Sequence, residues 1–244
     1  MNPHFGTAVL SAAYFPPVEY FFAIVHSDRV LIEQHENYQK QSWRSRCRIL
    51  SASGPEDLSI PVVKEERRSR PIRDIRIDYG EPWLQHHVRA LSAAYRSSAY
   101  YDYYADELIP ILESKPVFLF DLDMALLEKL LELLDIHVPV SLTDSFFAPL
   151  RSDNPLPSQK KCSCNGLSPA PLRDFDGRER IQPKYKGESL LAEYGCEQAY
   201  YQVFVNQDPF RPVAGLAPAS HFIPNLSVID LLSAEGPDAG RFLR

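Results

Sequence analysis

Polar and charged residues concentrate between positions 35 and 49, just after a short apolar run, and this stretch has the densest potential for chemistry in the chain. His35 and Glu36 are residue types that perform general acid–base catalysis, because a histidine titrates near neutral pH and an adjacent carboxylate tunes that titration. Neighbouring residues of an extended strand point to opposite faces, so we expect only one of the two to face a site. An ordinary structural role for the pair is the alternative.

Three arginines alternate in the same stretch, at Arg44, Arg46 and Arg48, and Lys40 precedes them. In an extended conformation the three guanidinium groups would share one face, where their forked donors suit bidentate capture of phosphate or carboxylate. The pattern therefore predicts an anion-binding site. The alternative is a solvated edge strand whose charges discourage pairing with other chains.

An aromatic stretch follows further along the chain. Trp83 shares a face with His86 or His87 if the segment is helical, and Tyr95 and Tyr101 belong to the tyrosine-rich part that comes next. We expect His87 to line a pocket as a second candidate base. The tyrosines would form a wall against which a sugar or a nucleobase packs. Core packing between helices, with phenol groups reaching the surface, is the competing interpretation.

Near the C-terminus, Asn225 and Ser227 precede an apolar segment, at the position where a helix begins. The free N–H groups of a first helical turn and the helix dipole favour an anion, so phosphate binding is one prediction for these residues. An ordinary helix cap is the other.

Cysteine spacing excludes a standard metal centre. Cys162 and Cys164 stand too close together for a zinc knuckle, and no second Cys or His pair lies at a matching distance. With Cys47 and Cys196 they are too few for a disulfide framework, which favours a reducing cytoplasm. The chain has no Gly-rich dinucleotide fingerprint, P-loop, HExxH, GxSxG or EF-hand loop, so the sequence predicts no metal and identifies no cofactor.

Hydrophobic periodicity predicts the elements that must position these residues. A strand, a proline-led helix and a second strand open the chain, which favours an α/β fold, with α+β as the alternative if later strands pair antiparallel. Helical period then runs across the middle of the chain, and the third of these helices would start at Asp121 or Asp123. The predicted strands are 7–13, 30–32, 58–63, 72–77 and 200–205, and the predicted helices are 18–26, 83–95, 100–112, 122–134, 190–194 and 227–232.

The amino-acid composition limits the domain organisation and the classes of binding partner that we expect. The 244 residues, of which 45% are hydrophobic and 24% charged, show no repeat or boundary, so we expect a single mixed-sheet domain over 1–244 with helices packed on it. The chain has 21 prolines, and six of them interrupt residues 148–186, which we predict to be a long, mobile loop. The net charge of -6 argues against nucleic-acid binding.

The sequence also bears on location. No apolar run approaches the roughly 20 residues needed to span a bilayer, and the N-terminus lacks the pattern of a signal peptide. We therefore expect a cytoplasmic protein without membrane insertion. Oligomeric state is not determined by these features.

Several stretches together resemble the WbqC-like protein family, and the likeness extends over nearly the whole chain. The resemblance is carried by Tyr14-Phe15-Pro16-Pro17 with Tyr20-Phe21, by residues 39–49 with Gly54, Leu58 and Pro61, by Trp83 with His87 and Tyr95, and by Gln202-Val203-Phe204, residues 225–232 and Glu235-Gly236-Pro237. Members often carry a Gln-Pro pair before the aromatic-proline turn, whereas this chain reads Ser11-Ala12-Ala13-Tyr14. The resemblance implies a role in the biosynthesis of bacterial O-antigen or other surface polysaccharides.

From the residues and the resemblance together we expect a transferase whose substrate is a nucleotide-linked sugar, with acyl or aminoacyl transfer to an amino sugar as the reaction. Lys40 and the three arginines would hold phosphate or carboxylate, His35 or His87 would act as base, and Tyr95 and Tyr101 would flank the sugar ring. A non-catalytic module that binds a sugar or a partner within a biosynthetic assembly is the alternative. Nucleotidyl transfer ranks third, because the paired histidines usual for that reaction are missing.

Overall fold

The structure is a computed structural model that describes residues 3–64, 70–147, 173–186, 188–196, 199–206 and 222–244. Its strands are β1 (Phe5–Ser11), β2 (Ser27–Glu33), β3 (Arg46–Ser51), β4 (Gly54–Ser59), β5 (Val140–Leu142) and β6 (Arg173–Asp176). Its α-helices are α1 (Val18–Val25), α2 (Trp83–Tyr95), α3 (Tyr101–Glu113), α4 (Leu119–Leu133), α5 (Leu190–Glu193), α6 (Val203–Asn206) and α7 (Val228–Glu235). Two 3-10 helices cover Ile72–Asp74 and Gly236–Leu243.

The central sheet is parallel and has the strand order β5-β2-β1-β6. β1 lies in its interior, with Leu10 opposite Ile32 of β2, and both side chains are fully buried. A parallel strand covered on both faces reads as a near-continuous apolar run, which is why β1 and β2 were evident in the sequence. Since all four strands run the same way, their carboxyl ends meet at one edge of the sheet.

Among the described strands, β3 and β4 pair antiparallel in a hairpin, where Ser51 faces Gly54 across a two-residue turn. This hairpin packs against α2 and α7. The α/β class is therefore confirmed, and the structure refines it, because the parallel and antiparallel strands form two separate sheets within the described residues.

The helices of the middle region agree closely with the periodicity. In α4 the residues spaced three or four apart, Leu119, Leu122, Leu126 and Leu130, are fully buried. The start of α4 differs from the prediction, since the helix begins after Phe118 without a side-chain cap. The Leu119 amide donates to the Ile75 carbonyl at 2.9 Å, so a tertiary hydrogen bond replaces the aspartate cap that we expected.

Other elements also depart from the sequence-based expectation. The predicted strand at 72–77 is the 3-10 helix Ile72–Asp74 followed by isolated bridges, and the predicted strand at 200–205 gives way to the short helix α6. β5 and β6 were not predicted, and β6 lies inside the expected loop 148–186. Both strands are short segments that add to an existing sheet, so they carry little periodic signal of their own. Residues 148–172 of that loop lie outside the described residues.

Among the described helices, none combines the length and the apolar character that crossing a bilayer requires.

Candidate functional site

Open α/β sheets bind ligands at the carboxyl ends of their strands, where the strand order reverses. Here β2 and β5 lie on one side of β1 and β6 lies on the other, so the reversal falls between β1 and β6. Polar residues stand at or just beyond these strand ends, at Ser11, Glu33, Thr143 and Asp176. This edge of the parallel sheet, which we call the carboxyl edge, is the candidate functional site.

A buried ion pair covers the end of β1. The Arg44 guanidinium donates from Nε to Glu36 Oε1 at 2.8 Å and from Nη2 to Glu36 Oε2 at 2.5 Å, and Nη2 also donates to Ser11 Oγ at 2.8 Å. Ser11 Oγ in turn donates to Glu36 Oε2 at 3.1 Å. Arg44 is 1% exposed and Glu36 7% exposed, so this bidentate pair is almost completely removed from water.

The same interior retains polar atoms for which the described part of the protein supplies no partner. These atoms are Arg44 Nη1 and both carboxyl oxygens of Asp123, which projects from α4. Burial raises the pKa of Asp123 well above its ordinary value, and the nearby Arg44 charge only partly opposes that rise. Burial therefore favours the neutral form of the Asp123 carboxyl group. A free guanidinium N–H and a carboxyl group in one interior suit a small polar ligand or an ordered water.

At the end of β2, Glu33 organises a second set of contacts. Its side chain is fully buried and accepts hydrogen bonds from the His35 amide at 2.8 Å, from Thr143 Oγ1 at 2.9 Å and from the Phe147 amide at 2.6 Å. Glu33 thereby ties β2 to the chain that follows β5.

Arg178 joins this set from beyond β6. It donates from Nε and Nη2 to the two carboxylate oxygens of Asp176, at 2.9 and 2.6 Å, and from Nη1 to the Phe147 carbonyl at 2.5 Å. Its Nη1 also lies 3.5 Å from Glu33 Oε2. The carboxyl edge therefore presents charges of both signs in a mostly buried arrangement.

His35 is the half-buried member of the edge. Its Nε2 lies 3.1 Å from the Thr143 carbonyl. Because a carbonyl oxygen can only accept, Nε2 carries the proton in the neutral ring, which leaves Nδ1 with a lone pair. No hydrogen bond joins Nδ1 to a described residue, so this nitrogen can receive a proton. Both residues lie in the bend that follows β2, and Glu36 points elsewhere, into the buried ion pair with Arg44.

The arginines predicted to share one face are separated in the structure. Arg44 lies in the turn before β3, where the alternation of an extended strand does not apply, and its side chain enters the interior. Arg46 and Arg48 do share a face of the hairpin, where they hold Asp57 at 3.1 and 2.8 Å. Lys40 is exposed in the same turn region as Arg44.

The structure places the second predicted base, His87, in the core. Its Nδ1 lies 2.9 Å from the Tyr14 hydroxyl, and the Ser59 carbonyl accepts from the ring. Burial is the main reason why the pKa of His87 falls to about 4. At pH 7 the ring is neutral, and both its nitrogens have protein partners.

Tyr95 and Tyr101, expected to flank a sugar ring, are also core residues, with 2% and 5% exposure. The Tyr95 hydroxyl accepts from the Leu50 amide at 3.2 Å and bonds to the buried Asp230. The tyrosines of this stretch that reach the surface are Tyr100 and Tyr103.

Asn225 and Ser227 are engaged within the protein. Asn225 Nδ2 donates to Glu19 Oε1 at 2.8 Å, and Ser227 Oγ caps α7 by accepting from the Ile229 amide at 3.4 Å. The Val228 amide donates to the Pro16 carbonyl at 2.9 Å. An anion at this helix start would have to displace these bonds.

No group of three or more potential metal ligands exists within the described part of the chain. Cys47 is a buried free thiol there, and Cys162 and Cys164 fall outside it.

Five residues of the carboxyl edge were not predicted, namely Ser11, Glu33, Thr143, Asp176 and Arg178. One local signal does mark two of them, because Glu33 and Asp176 are acidic residues that directly end a buried strand. Their meeting across the sheet has no local signal. It depends on a pairing of β1 with β6 that joins residues more than 160 positions apart, as Phe5 and Arg173 show.

Comparison with known proteins adds the family. The profile of the WbqC-like protein family matches residues 12–163. An uncharacterized protein of Mycobacterium tuberculosis strain H37Rv, Rv1507c, is 34% identical over 241 residues, which cover 97% of this chain and 98% of the relative. This chain belongs to the WbqC-like protein family. No solved structure matches it significantly.

Within this WbqC-like chain, the matched region contains much of the carboxyl edge. His35, Glu36, Arg44 and Asp123 all lie inside 12–163, whereas Asp176 and Arg178 follow it.

Proposed function

We propose that this WbqC-like protein is a transferase that acts on a nucleotide-linked amino sugar during the biosynthesis of a surface polysaccharide. The observation that carries the proposal is the position of His35, with an available Nδ1, among buried charges at the carboxyl edge of a parallel sheet. Numbered by their order along the chain, the four strands lie in the sheet as 3-2-1-4, which matches the first four positions of the 3-2-1-4-5-6 order of the doubly wound fold.

The reaction we propose is the transfer of an acyl or aminoacyl group from an activated donor, such as a thioester or an acyl phosphate, to the sugar amine. The amine nitrogen forms a bond to the acyl carbon, and the thiolate or phosphate leaves with the bonding electron pair. His35 Nδ1 accepts the proton that the amine loses. Glu33 supports this role because it holds the His35 backbone amide at 2.8 Å.

Side chains, not a helix start, would hold the phosphates of the nucleotide. The first amide of α1, at Val18, already donates to the Leu226 carbonyl at 3.0 Å, and the turn before it has no glycine. Arg44 is the donor that we propose for the anion at the end of β1, through its Nη1, which has no hydrogen-bond partner among the described residues. Lys40, Arg46 and Arg48 remain proposed ligands for more distant parts of the substrate.

Thermal unfolding of the purified protein with a panel of UDP-, GDP- and dTDP-linked amino sugars tests the binding step, because a ligand of the native state raises Tm. We expect one of these compounds to raise Tm while inorganic phosphate does not. A product assay with the stabilising sugar and a set of acyl thioesters then tests turnover. The proposal fails if no nucleotide sugar changes Tm.

The variant His35→Asn tests the assigned base. We expect it to lower turnover by at least about 100-fold, the usual contribution of general acid–base catalysis, while the Tm shift by the nucleotide sugar persists. His137→Asn is the matched control, because His137 is 83% exposed. Equal turnover of His35→Asn and the parent protein would refute the role of His35.

A non-catalytic binding module is the second candidate. It is favoured by the complete internal pairing of Glu33, Glu36 and Asp176, which leaves these carboxylates satisfied without a substrate. Stabilisation by a nucleotide sugar with no product from any acyl donor would favour this module over the transferase.

A further inference from the structure

An open groove of about 490 Å³ lies away from the carboxyl edge, where the start of α3 meets the end of α4 and the C-terminal 3-10 helix. It is lined by Tyr100, Tyr103, Tyr104, Glu132, Leu133 and Pro237. A site of this size, with a few polar groups on an aromatic lining, matches the general properties of small-ligand sites. We call it the tyrosine groove.

The backbone of Gly236 fixes the position of Tyr100. A Cβ added at Gly236 would lie 2.6 Å from the Tyr100 ring, so the ring packs directly on the glycine backbone. The Tyr100 amide also donates to the Ser233 carbonyl at 3.2 Å. One side of the ring is thereby held by the end of α7, and 41% of the residue stays exposed.

Tyr103 is the most exposed large hydrophobic residue of the described chain, at 64%. Its ring centroid lies 5.1 Å from that of the buried Tyr104, and the two rings are nearly perpendicular, at 82°. The groove therefore offers an open ring from Tyr103 next to a fixed ring from Tyr104. A proline-rich helix docks in a groove lined by parallel aromatic rings. The rings of Tyr103 and Tyr104 are nearly perpendicular, so this described pair does not form such a groove.

The charges of the tyrosine groove exclude one class of ligand. Its six lining residues include Glu132 and no lysine or arginine. Lys129, the neighbouring cation, is held by Glu132 at 2.8 Å and by Glu107 at 3.3 Å. A phosphate or a nucleotide would meet the Glu132 carboxylate here, and none of the six described lining residues supplies a cation to offset it.

We propose that the tyrosine groove binds a neutral oligosaccharide of two or three sugar units. The apolar CH face of a pyranose packs on the Tyr103 ring, and sugar hydroxyls donate to Glu132 and exchange hydrogen bonds with the phenol groups. The site is separate from the carboxyl edge and goes beyond the proposed transferase, since it would hold a saccharide at a place where no transfer chemistry is available.

Saturation-transfer NMR on the full-length protein tests this proposal, with chitotriose, maltotriose and mannotriose as probes at millimolar concentration. We expect transfer from the protein to the ring CH protons of at least one of them. Tyr103→Ala should weaken that binding about fivefold to tenfold, corresponding to the usual worth of one aromatic contact, whereas Tyr103→Phe should retain most of it. Tyr185→Ala, which removes a tyrosine that is 44% exposed elsewhere, is the matched control.

Because Tyr103 is so exposed, the alanine variant should fold, and an unchanged far-UV spectrum and Tm will verify this. The proposal is overturned if none of the three trisaccharides shows saturation transfer, or if Tyr103→Ala binds as tightly as Tyr185→Ala. Preferential binding of a synthetic proline-rich peptide at the groove would also overturn it, and would assign the groove to a peptide. Loss of turnover in His35→Asn tests the transferase alone, so the two proposals can fail independently.

Discussion

Arg44 is among the largest fully buried side chains of the protein, and Glu36 is the acid that makes its burial tolerable. Removing one member of such a pair leaves the other charge buried without compensation, which typically costs about 3–5 kcal/mol. We predict a loss of this size in the free energy of unfolding for Glu36→Gln, measured by urea denaturation.

The matched control is Asp57→Asn, which breaks the partly exposed pairs with Arg46 and Arg48. Exposed pairs contribute roughly 0–1 kcal/mol, so this variant should lose much less stability. Similar losses in the two variants would show that burial does not distinguish the two arginine clusters.

The buried side chain of His87 makes the free energy of unfolding depend on pH. Burial lowers its pKa from 6.5 to about 4, so between these values the unfolded chain binds more protons than the folded chain. The stability that His87 contributes is therefore complete above pH 6.5 and is lost as the pH falls towards about 4. We expect His87→Gln to show a smaller difference between its unfolding free energies at neutral pH and at about pH 5 than the parent protein.

The exposed His137 supplies the comparison for this experiment, because His137→Gln should leave the parent pH dependence in place. An unchanged pH dependence in His87→Gln would mean that the histidine is not held neutral by burial.

At the scale of elements, the junction between α7 and the C-terminal 3-10 helix depends on Gly236. Its φ is +57°, and a Cβ would collide with the Tyr100 ring. Gly195 also has a positive φ, of +64°, but an added Cβ would meet nothing within 4 Å. Gly195 therefore tests the cost of a positive φ alone, whereas Gly236, whose ψ is -129°, combines a backbone conformation that favours glycine with a steric clash.

We predict that Gly195→Ala lowers the free energy of unfolding by about 1–2 kcal/mol, the backbone cost alone. Gly236→Ala should lose about 1–3 kcal/mol more, because the Tyr100 ring must move or the junction must distort. Thermal and urea unfolding of both variants measure this difference. Equal losses would contradict the packing of Tyr100 on Gly236.

The helices and strands differ in whether local sequence or tertiary contacts determine them. The amphipathic helices α2, α3 and α4 follow from hydrophobic period, and Ser227 caps α7 as its position predicted. The short strands β5 and β6 do not follow, because three or four residues carry no usable period. They are strands because an open sheet edge beside β2 and β1 accepts their backbone hydrogen bonds.

On the scale of the whole molecule, one hydrophobic cluster includes residues of both sheets and of the large helices. Trp43, beside the hairpin, and Trp83, at the start of α2, are both buried in it. We therefore predict a single cooperative transition. The variants Trp43→Phe and Trp83→Phe each retain one tryptophan. In each variant, the urea midpoint measured by tryptophan fluorescence should equal the midpoint measured by far-UV circular dichroism. Distinct midpoints for tryptophan and backbone signals would show that the hairpin region unfolds independently.

The candidate site likewise combines features that the sequence predicts with features that only the tertiary structure shows. His35 and Glu36 were evident from residue type, and the structure places His35 on the carboxyl edge and Glu36 in the adjoining interior. Arg44 was grouped with Arg46 and Arg48 by spacing, but the turn that contains Arg44 sends its side chain inward instead. Spacing predicts a shared face only where the backbone is regular, and that regularity begins at Arg46.

The sequence by itself determined the α/β class, the large helices, the opening strand-helix-strand unit and the family, because each depends on local periodicity or on contiguous motifs. Tertiary structure alone decided that Ser11, Glu33, Asp176 and Arg178 stand at one edge. It also decided that, between residues 95 and 104, Tyr100 and Tyr103 are exposed while Tyr95 and Tyr101 are buried. The physical reason is that parallel strands pair through hydrogen bonds between distant segments. Which side of an aromatic helix is buried depends likewise on the neighbours that pack against it.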